Sequence, residues 1–335
     1  MARLTAAFGT SHSIMLTSRK EDWQYGFKEV DPLNPHYFDR EGNHRTYEEL
    51  LAVAPADSES MVTPELMAER FDAADAAMNQ LRDRIAEAEL DVLLVAGDDQ
   101  TELFRLTNMP AIAIYYGETI RNARREELGE DDSWYRYARA QRQEPDGDVH
   151  YPVDSELAEW LIRRLSDKEF DITALAGLEG EQFEGHAFSF PHRRYLSHAR
   201  LPVVPIMVNT FDPPNQPTAK RCVALGRALR ELIAEYPKDL KIGIMASGGL
   251  SHFVVDEEFD QQLIEAFRNG DLEYLAAIDP RRLKAGSSEI RNWIVVAAAA
   301  TDLELDWAEY VPGYRTPALT GTGLCFASWK PVSQI

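Results

Sequence analysis

Short apolar runs that close on polar or glycine clusters alternate along this chain with stretches whose apolar positions recur at helical spacing. That alternation predicts an α/β fold, a central mixed sheet flanked by helices. Leu4 to Gly9 reads as the first strand. Thr63 to Glu87 reads as a helix, with Thr63 as cap, Pro64 in the first turn, and Leu66, Phe71, Ala74, Met78 and Leu81 near one face. Asp91 to Ala96 reads as a buried strand, and Asp154 opens another helix. Pro202 to Thr210 reads as a strand that stops before Pro213-Pro214, and a helix runs from Pro217 to about Tyr236. Lys241 to Ala246 is a strand closing on Ser247-Gly248-Gly249; Glu258 to Phe267 and Ser288 to Ala300 are helical; a last apolar segment surrounds Leu324 to Trp329.

Two segments, about 20 to 60 and about 119 to 150, are polar and weakly periodic. They read as excursions from a single catalytic domain over residues 1–335, serving as a lid or a subunit contact. With no internal repeat or heptad pattern, one core with decorations is expected.

Composition narrows the classes. Acidic residues outnumber basic ones 56 to 35, for a formal net charge of −21, which repels phosphate backbones and argues against nucleic acid. Local positive potential at Lys220, Arg221 or the Arg193-Arg194 pair still suits an anionic ligand. No stretch approaches the roughly 18 apolar residues needed to cross a bilayer, and the opening Met1-Ala2-Arg3-Leu4-Thr5 lacks an apolar signal core. Cys222 and Cys325 are too few for a disulfide framework. A reducing cytoplasm is expected.

Three polar clusters follow predicted strands directly: Gly9-Thr10-Ser11-His12, Gly97-Asp98-Asp99-Gln100 and Ser247-Gly248-Gly249-Leu250-Ser251-His252. Ligand sites in open α/β sheets gather beyond strand carboxyl ends, so the active site is expected where these clusters converge. Gly185-His186 precedes the strand at Val203 and is placed to enter the same crevice, and Gly286-Ser287-Ser288-Glu289 sets a carboxylate in the first turn of a helix. Taken singly, each residue also has a plain structural reading. His12 and His252 suit ordinary loop positions, Glu289 suits the helix macrodipole, and Asp98, Asp99 and Glu102 suit turns and caps. His36, His44 and His150 fall in the polar excursions and His192 and His198 flank a basic stretch, so all five read as surface residues.

The ordered set of clusters resembles the LigB-type (class III) extradiol ring-cleavage dioxygenases, the group that contains protocatechuate 4,5-dioxygenase catalytic subunits and gallate and 3-O-methylgallate dioxygenases. The resemblance runs from Gly9-Thr10-Ser11-His12-Ser13 through Gly97-Asp98-Asp99-Gln100 with Phe104, Gly185-His186, Pro202-Val203-Val204-Pro205 and Asn209-Thr210-Phe211. It continues through Pro213-Pro214, Arg221-Cys222, Gly226, Ser247 to His252, and Ser288-Glu289 with Trp293. It implies a mononuclear Fe(II) held by two histidines and a glutamate, with open positions for a small aromatic substrate and O2. Carried over, His12 and Glu289 resemble the metal ligands, His252 the catalytic acid and base, and His186 a second catalytic histidine that hydrogen-bonds substrate or oxygen. Where the family commonly has a ligating histidine after Asn-Asp, this chain has Gln100 after Asp98-Asp99. A glutamine offers only a neutral amide oxygen, so Gln100 as metal ligand implies a weaker site, with Asp99 as a substitute.

The family's substrates often carry a carboxylate, for which Ser251, Arg221 and Lys220 are candidates, while Phe188, Phe190, Tyr115 and Tyr116 are candidates for a ring slot. The resemblance leaves open a homodimer or a small second subunit. Three readings compete: a dioxygenase acting on gallate, 3-O-methylgallate or protocatechuate; a homologue without iron chemistry that serves in binding or assembly; and a metal-assisted hydrolase or lyase on the same scaffold.

Overall fold

The computed structural model describes residues 1–129, 132–197 and 200–332. Its central sheet has nine strands: β1 (Arg3–Thr10), β2 (Val92–Gly97), β3 (Ile112–Tyr115), β4 (Thr173–Leu175), β5 (Val203–Val208), β6 (Lys241–Ser247), β7 (His252–Val254), β8 (Leu303–Tyr314) and β9 (Thr320–Pro331). Their order is β7-β9-β1-β6-β2-β5-β3-β4, with β8 also paired to β9. The middle strands β1, β6, β2 and β5 are parallel. The antiparallel pairings of β9 with β1, β7 and β8, and of β3 with β5, make the sheet mixed, as the sequence leads one to expect.

Parallel strands are covered on both faces and so read as continuous apolar runs. In β2 every residue is buried. Val92, Leu94 and Ala96 pack toward the helices Ser155–Asp167, Ala219–Glu235 and Ile290–Ala299, while Leu93 and Val95 pack toward Pro64–Glu87. The Pro64–Glu87 helix starts where its cap predicts: Thr63 Oγ1 accepts the Leu66 N–H at 3.3 Å. Both cysteines are buried free thiols.

Register places the site. Thr10 lies opposite Ser247, and Ala246 lies opposite Ala96, so β1, β6 and β2 end at one level. The three polar clusters therefore leave the sheet side by side.

Both excursions are tied to this body. The segment about 20 to 60 holds short helices and a ribbon of Tyr37–Phe38 with His44–Arg45. Its Asp31 accepts hydrogen bonds from Arg315 Nε (2.9 Å) and Thr320 Oγ1 (2.6 Å) at the β8–β9 turn. The segment about 119 to 150 is built on a ribbon of Thr119–Asn122 with Val149–Pro152 and the helix Trp134–Ala140. Buried Glu144 pins it, accepting from Tyr151 Oη at 2.7 Å and from Arg193 Nη1 at 2.9 Å.

Candidate metal centre

His12 lies two residues beyond β1, and its Nδ1 stands 2.9 Å from Ser247 Oγ at the end of β6, which turns Nε2 inward. Asp98 is the first residue after β2 and is fully buried. Glu289 closes the short 3-10 helix Ala285–Glu289 at the head of Ile290–Ala299, and its Oε2 accepts the Gly249 N–H at 2.7 Å. His186 begins the helix His186–Pro191; its Nδ1 stands 2.7 Å from Glu102 Oε2, and its backbone N–H donates to the same carboxylate at 3.1 Å. One donor atom from each of His12, Asp98, His186 and Glu289 lies within 4.8 Å of the other three.

The donor set fits a divalent ion. His12 Nε2 and Asp98 Oδ1 are buried, 3.8 Å apart, and neither has a hydrogen-bond partner. Buried polar atoms left bare are costly, and a cation between them removes that cost. Each imidazole is held at Nδ1 by an outer partner, Ser247 or Glu102, the usual support for a metal-binding histidine. The electrostatics agree. Burial and the neighbouring Glu289 raise the Asp98 carboxyl, while Glu289 itself, despite burial, is held well below the usual range by His252 and His12. Two buried carboxylates side by side split in this way unless positive charge is shared between them. At His186 burial opposes the charged form, but Glu102 and Asp98 outweigh it and raise the imidazole to about 9.

His252 sits at the start of β7 with Nδ1 2.8 Å from the Leu250 carbonyl and Nε2 3.3 Å from Glu289 Oε1. Its ring is seated by Gly286, where a Cβ would stand 1.9 Å from His252 Cδ2. Gln100 turns its amide nitrogen, not its oxygen, to the site, donating to Asp98 Oδ2 at 2.9 Å and Glu289 Oε1 at 3.3 Å. In this orientation it bridges two carboxylates with its amide nitrogen on the site side. Asp99 does not substitute: its two oxygens accept the Leu103 and Phe104 N–H groups at 2.8 and 3.2 Å. Asp98, for which the sequence offers a turn or cap reading as readily as a functional one, is the carboxylate of this stretch that joins the cluster.

The candidates for substrate contact lie apart from the cavity at the cluster. Ser251 Oγ donates to Asp260 Oδ2 at 2.6 Å and accepts the Asp256 N–H at 2.8 Å, so its hydroxyl is committed to packing. Arg221 lies on the Ala219–Glu235 helix, donating to the Glu169 carbonyl and stacking on Phe170, and Lys220 is exposed beside it. Phe188, Phe190 and Tyr115 belong to the core, and Tyr116 packs against it. The cavity of about 280 Å³ at the cluster is bordered instead by Tyr135, Arg139, Arg142, Phe253 and Arg315 beside the histidines. Arg142 Nη2 donates to the His12 carbonyl at 2.8 Å. Its segment is polar and aperiodic, so nothing in the sequence marks it. Of the remaining histidines, His36, His44 and His150 are exposed as expected. His192 is buried, 2.6 Å from Glu184 Oε2 and stacked on Tyr151, so its ring is held by an ion-pair partner and an aromatic face. His198 lies outside the described residues.

Residues 61–324 match the family model described as the catalytic LigB subunit of aromatic ring-opening dioxygenase, well over half of the chain. The chain belongs to this family. The chain is also similar to gallate dioxygenase of Pseudomonas putida (strain KT2440), 41% identical over 138 residues, covering 36% of this chain and 37% of that protein. The chain thus spans little more than a third of that relative's length. His12 lies before the part matched by the LigB model, and β1 alone brings it to the cluster. Among the described residues no helix is long and apolar enough to cross a membrane.

Proposed function

We propose that this chain is an extradiol dioxygenase that opens a catechol-type aromatic ring, with Fe(II) held by His12, Asp98, His186 and Glu289 and the ring lying in the cavity beside them. The observation that carries this reading is the convergence of four buried donor atoms, two of them bare, on one point beyond the strand ends. Family membership and the similarity to gallate dioxygenase support the ring-opening chemistry.

When bound, Fe(II) in a nitrogen and oxygen donor set supplies open positions at which a catechol and O2 meet, and couples their electrons. The protein's residues do the rest. His252 Nδ1 donates to the Leu250 carbonyl, which puts Nε2 on the site side, 3.3 Å from Glu289 Oε1, as the atom that exchanges a proton with a substrate hydroxyl. Against the opposing effect of burial, Glu289 raises this imidazole, so the proton is held there until substrate binding displaces it. Gln100 and the Gly249 N–H hold Asp98 and Glu289 in place. Glu102 fixes the His186 ring so that Nε2 faces Asp98. Arg142, fixed to the His12 carbonyl, sets a positive charge on the cavity wall, and an acidic ring substituent pairs with it in a charge-assisted contact. In this role Arg142 takes the place assigned to Arg221 and Ser251 from the sequence.

Metal content of anaerobically purified protein, paired with oxygen uptake on gallate, 3-O-methylgallate and protocatechuate, tests the proposal. About one iron per chain with substrate-dependent uptake is expected. Protein that stays inert after ferrous reconstitution overturns the dioxygenase reading; metal-dependent turnover without oxygen uptake favours a hydrolase or lyase.

A further inference from the structure

The cavity does not end at the cluster. A second cavity of about 380 Å³ lies against the first, and Glu102, Tyr135, Arg139, Arg142 and His186 border both. The first, at about 280 Å³, falls just below the roughly 300 Å³ at which cavities for drug-sized ligands begin, so it suits a single ring and little more. The second is space that a lone ring leaves empty.

Its walls are not uniform. Leu128, Ala140 and Phe183 give apolar surface. Of the arginines on the Trp134–Ala140 helix, Arg136 is committed to Glu126 and Asp132. Arg139 is exposed, and among the described residues its guanidinium makes no ion pair. An uncommitted cation at the junction of two cavities, beside apolar walls, matches a ligand with an apolar arm and an acidic end.

We propose that the second cavity receives an arm of the substrate: the ring to be opened carries a chain or second ring of several carbons whose terminal carboxylate meets Arg139. The placement of the ring rests on the dioxygenase reading, whereas the arm and its acid are read from the second cavity. A carboxylate attached straight to the ring stays in the first cavity, with Arg142 on its wall. Lengthening the arm carries the acid past Arg142, buries apolar carbons against Leu128 and Phe183, and engages Arg139.

Binding separates the two claims. Dissociation constants are measured anaerobically by calorimetry on the full chain for the 3,4-dihydroxy derivatives of benzoate, phenylacetate, 3-phenylpropanoate and 4-phenylbutanoate; oxygen uptake is recorded separately. Affinity is expected to rise about tenfold or more from the benzoate to the longer acids. Arg139→Gln is expected to weaken the longer acids about tenfold more than the benzoate, and Arg139→Lys to restore most of that difference. A flat or falling series, or an Arg139→Gln loss equal for every length, overturns the arm. A rising series without oxygen uptake keeps the arm and sinks the dioxygenase reading.

Discussion

At the scale of single residues, the proposed site leans on two positions outside the four candidate metal donors. Gln100 places one amide nitrogen between Asp98 and Glu289. Gln100→Leu removes both hydrogen bonds with little change in volume, and loss of such outer partners typically weakens metal binding by about 10- to 100-fold. Calorimetry with Co(II) is expected to show a drop in that range, and unchanged affinity would place Gln100 outside the metal's influence. Gly286 acts by having no side chain. Gly286→Ala drives a methyl into the His252 ring, and overpacking of this kind costs about 1–3 kcal/mol. Urea denaturation should register that loss, and turnover should fall further than the stability loss alone accounts for, because the imidazole must leave its seat. Neither residue's role is legible in the sequence. A glutamine after two aspartates reads as a defective ligand until the amide's direction is known, and Gly286 reads as loop chemistry until a ring from another strand lies over it.

At the scale of elements, the legible parts are those whose signal is local. The parallel strands β1, β2, β5 and β6 are apolar on both faces, and the helices after them carry caps such as Thr63, Asp154 and Thr218. β8 is not legible: Leu303-Glu304-Leu305-Asp306 is polar enough to pass for a loop, because only its pairing with β9 makes it a strand. β3 is four residues long and its Tyr115 reads equally well as a pocket aromatic. β8 also takes part in a pH-sensitive link. Asp260 on the Glu257–Asn269 helix accepts from Ser251 and from Tyr310 of β8, and burial raises its carboxyl to about 6 in spite of these bonds. The folded protein therefore keeps a proton that the unfolded chain releases near pH 4, so stability falls as pH rises between those values. Between pH 4.5 and 7 the loss from this group is about 2 kcal/mol. Denaturation of the protein and of Asp260→Asn at both pH values checks it: the gap between them should narrow or reverse in favour of the variant at pH 7, and an equal gap at both would exclude Asp260 as the titrating group.

At the scale of the whole molecule, the site is closed by segments that the fold core does not require. Arg139 and Arg142 reach it from the segment about 119 to 150, and Arg315 comes from the β8–β9 turn with its charge balanced by Asp31 of the segment about 20 to 60. That first segment precedes the part of the chain matched by the family model, yet it is bound to the body by a buried ion pair. Desolvation makes such a pair expensive to break from one side, because the remaining charge stays buried. Burial raises the Asp31 carboxyl against the opposing pull of Arg315, the sign of a site where dehydration is not fully offset. Asp31→Ala is expected to cost about 3–5 kcal/mol by leaving Arg315 uncompensated over Phe27. Arg315→Met alone should cost a similar amount through the stranded carboxylate, and the double variant clearly less than the two added, since the pair acts as one unit. Equilibrium unfolding of the four proteins measures the coupling. Strict additivity would mean that the first segment is not held through this contact and that Arg315 faces the cavity independently of it. A large coupling would make the charge on that cavity wall a property of two segments far apart in sequence, which is why the sequence shows neither half of it.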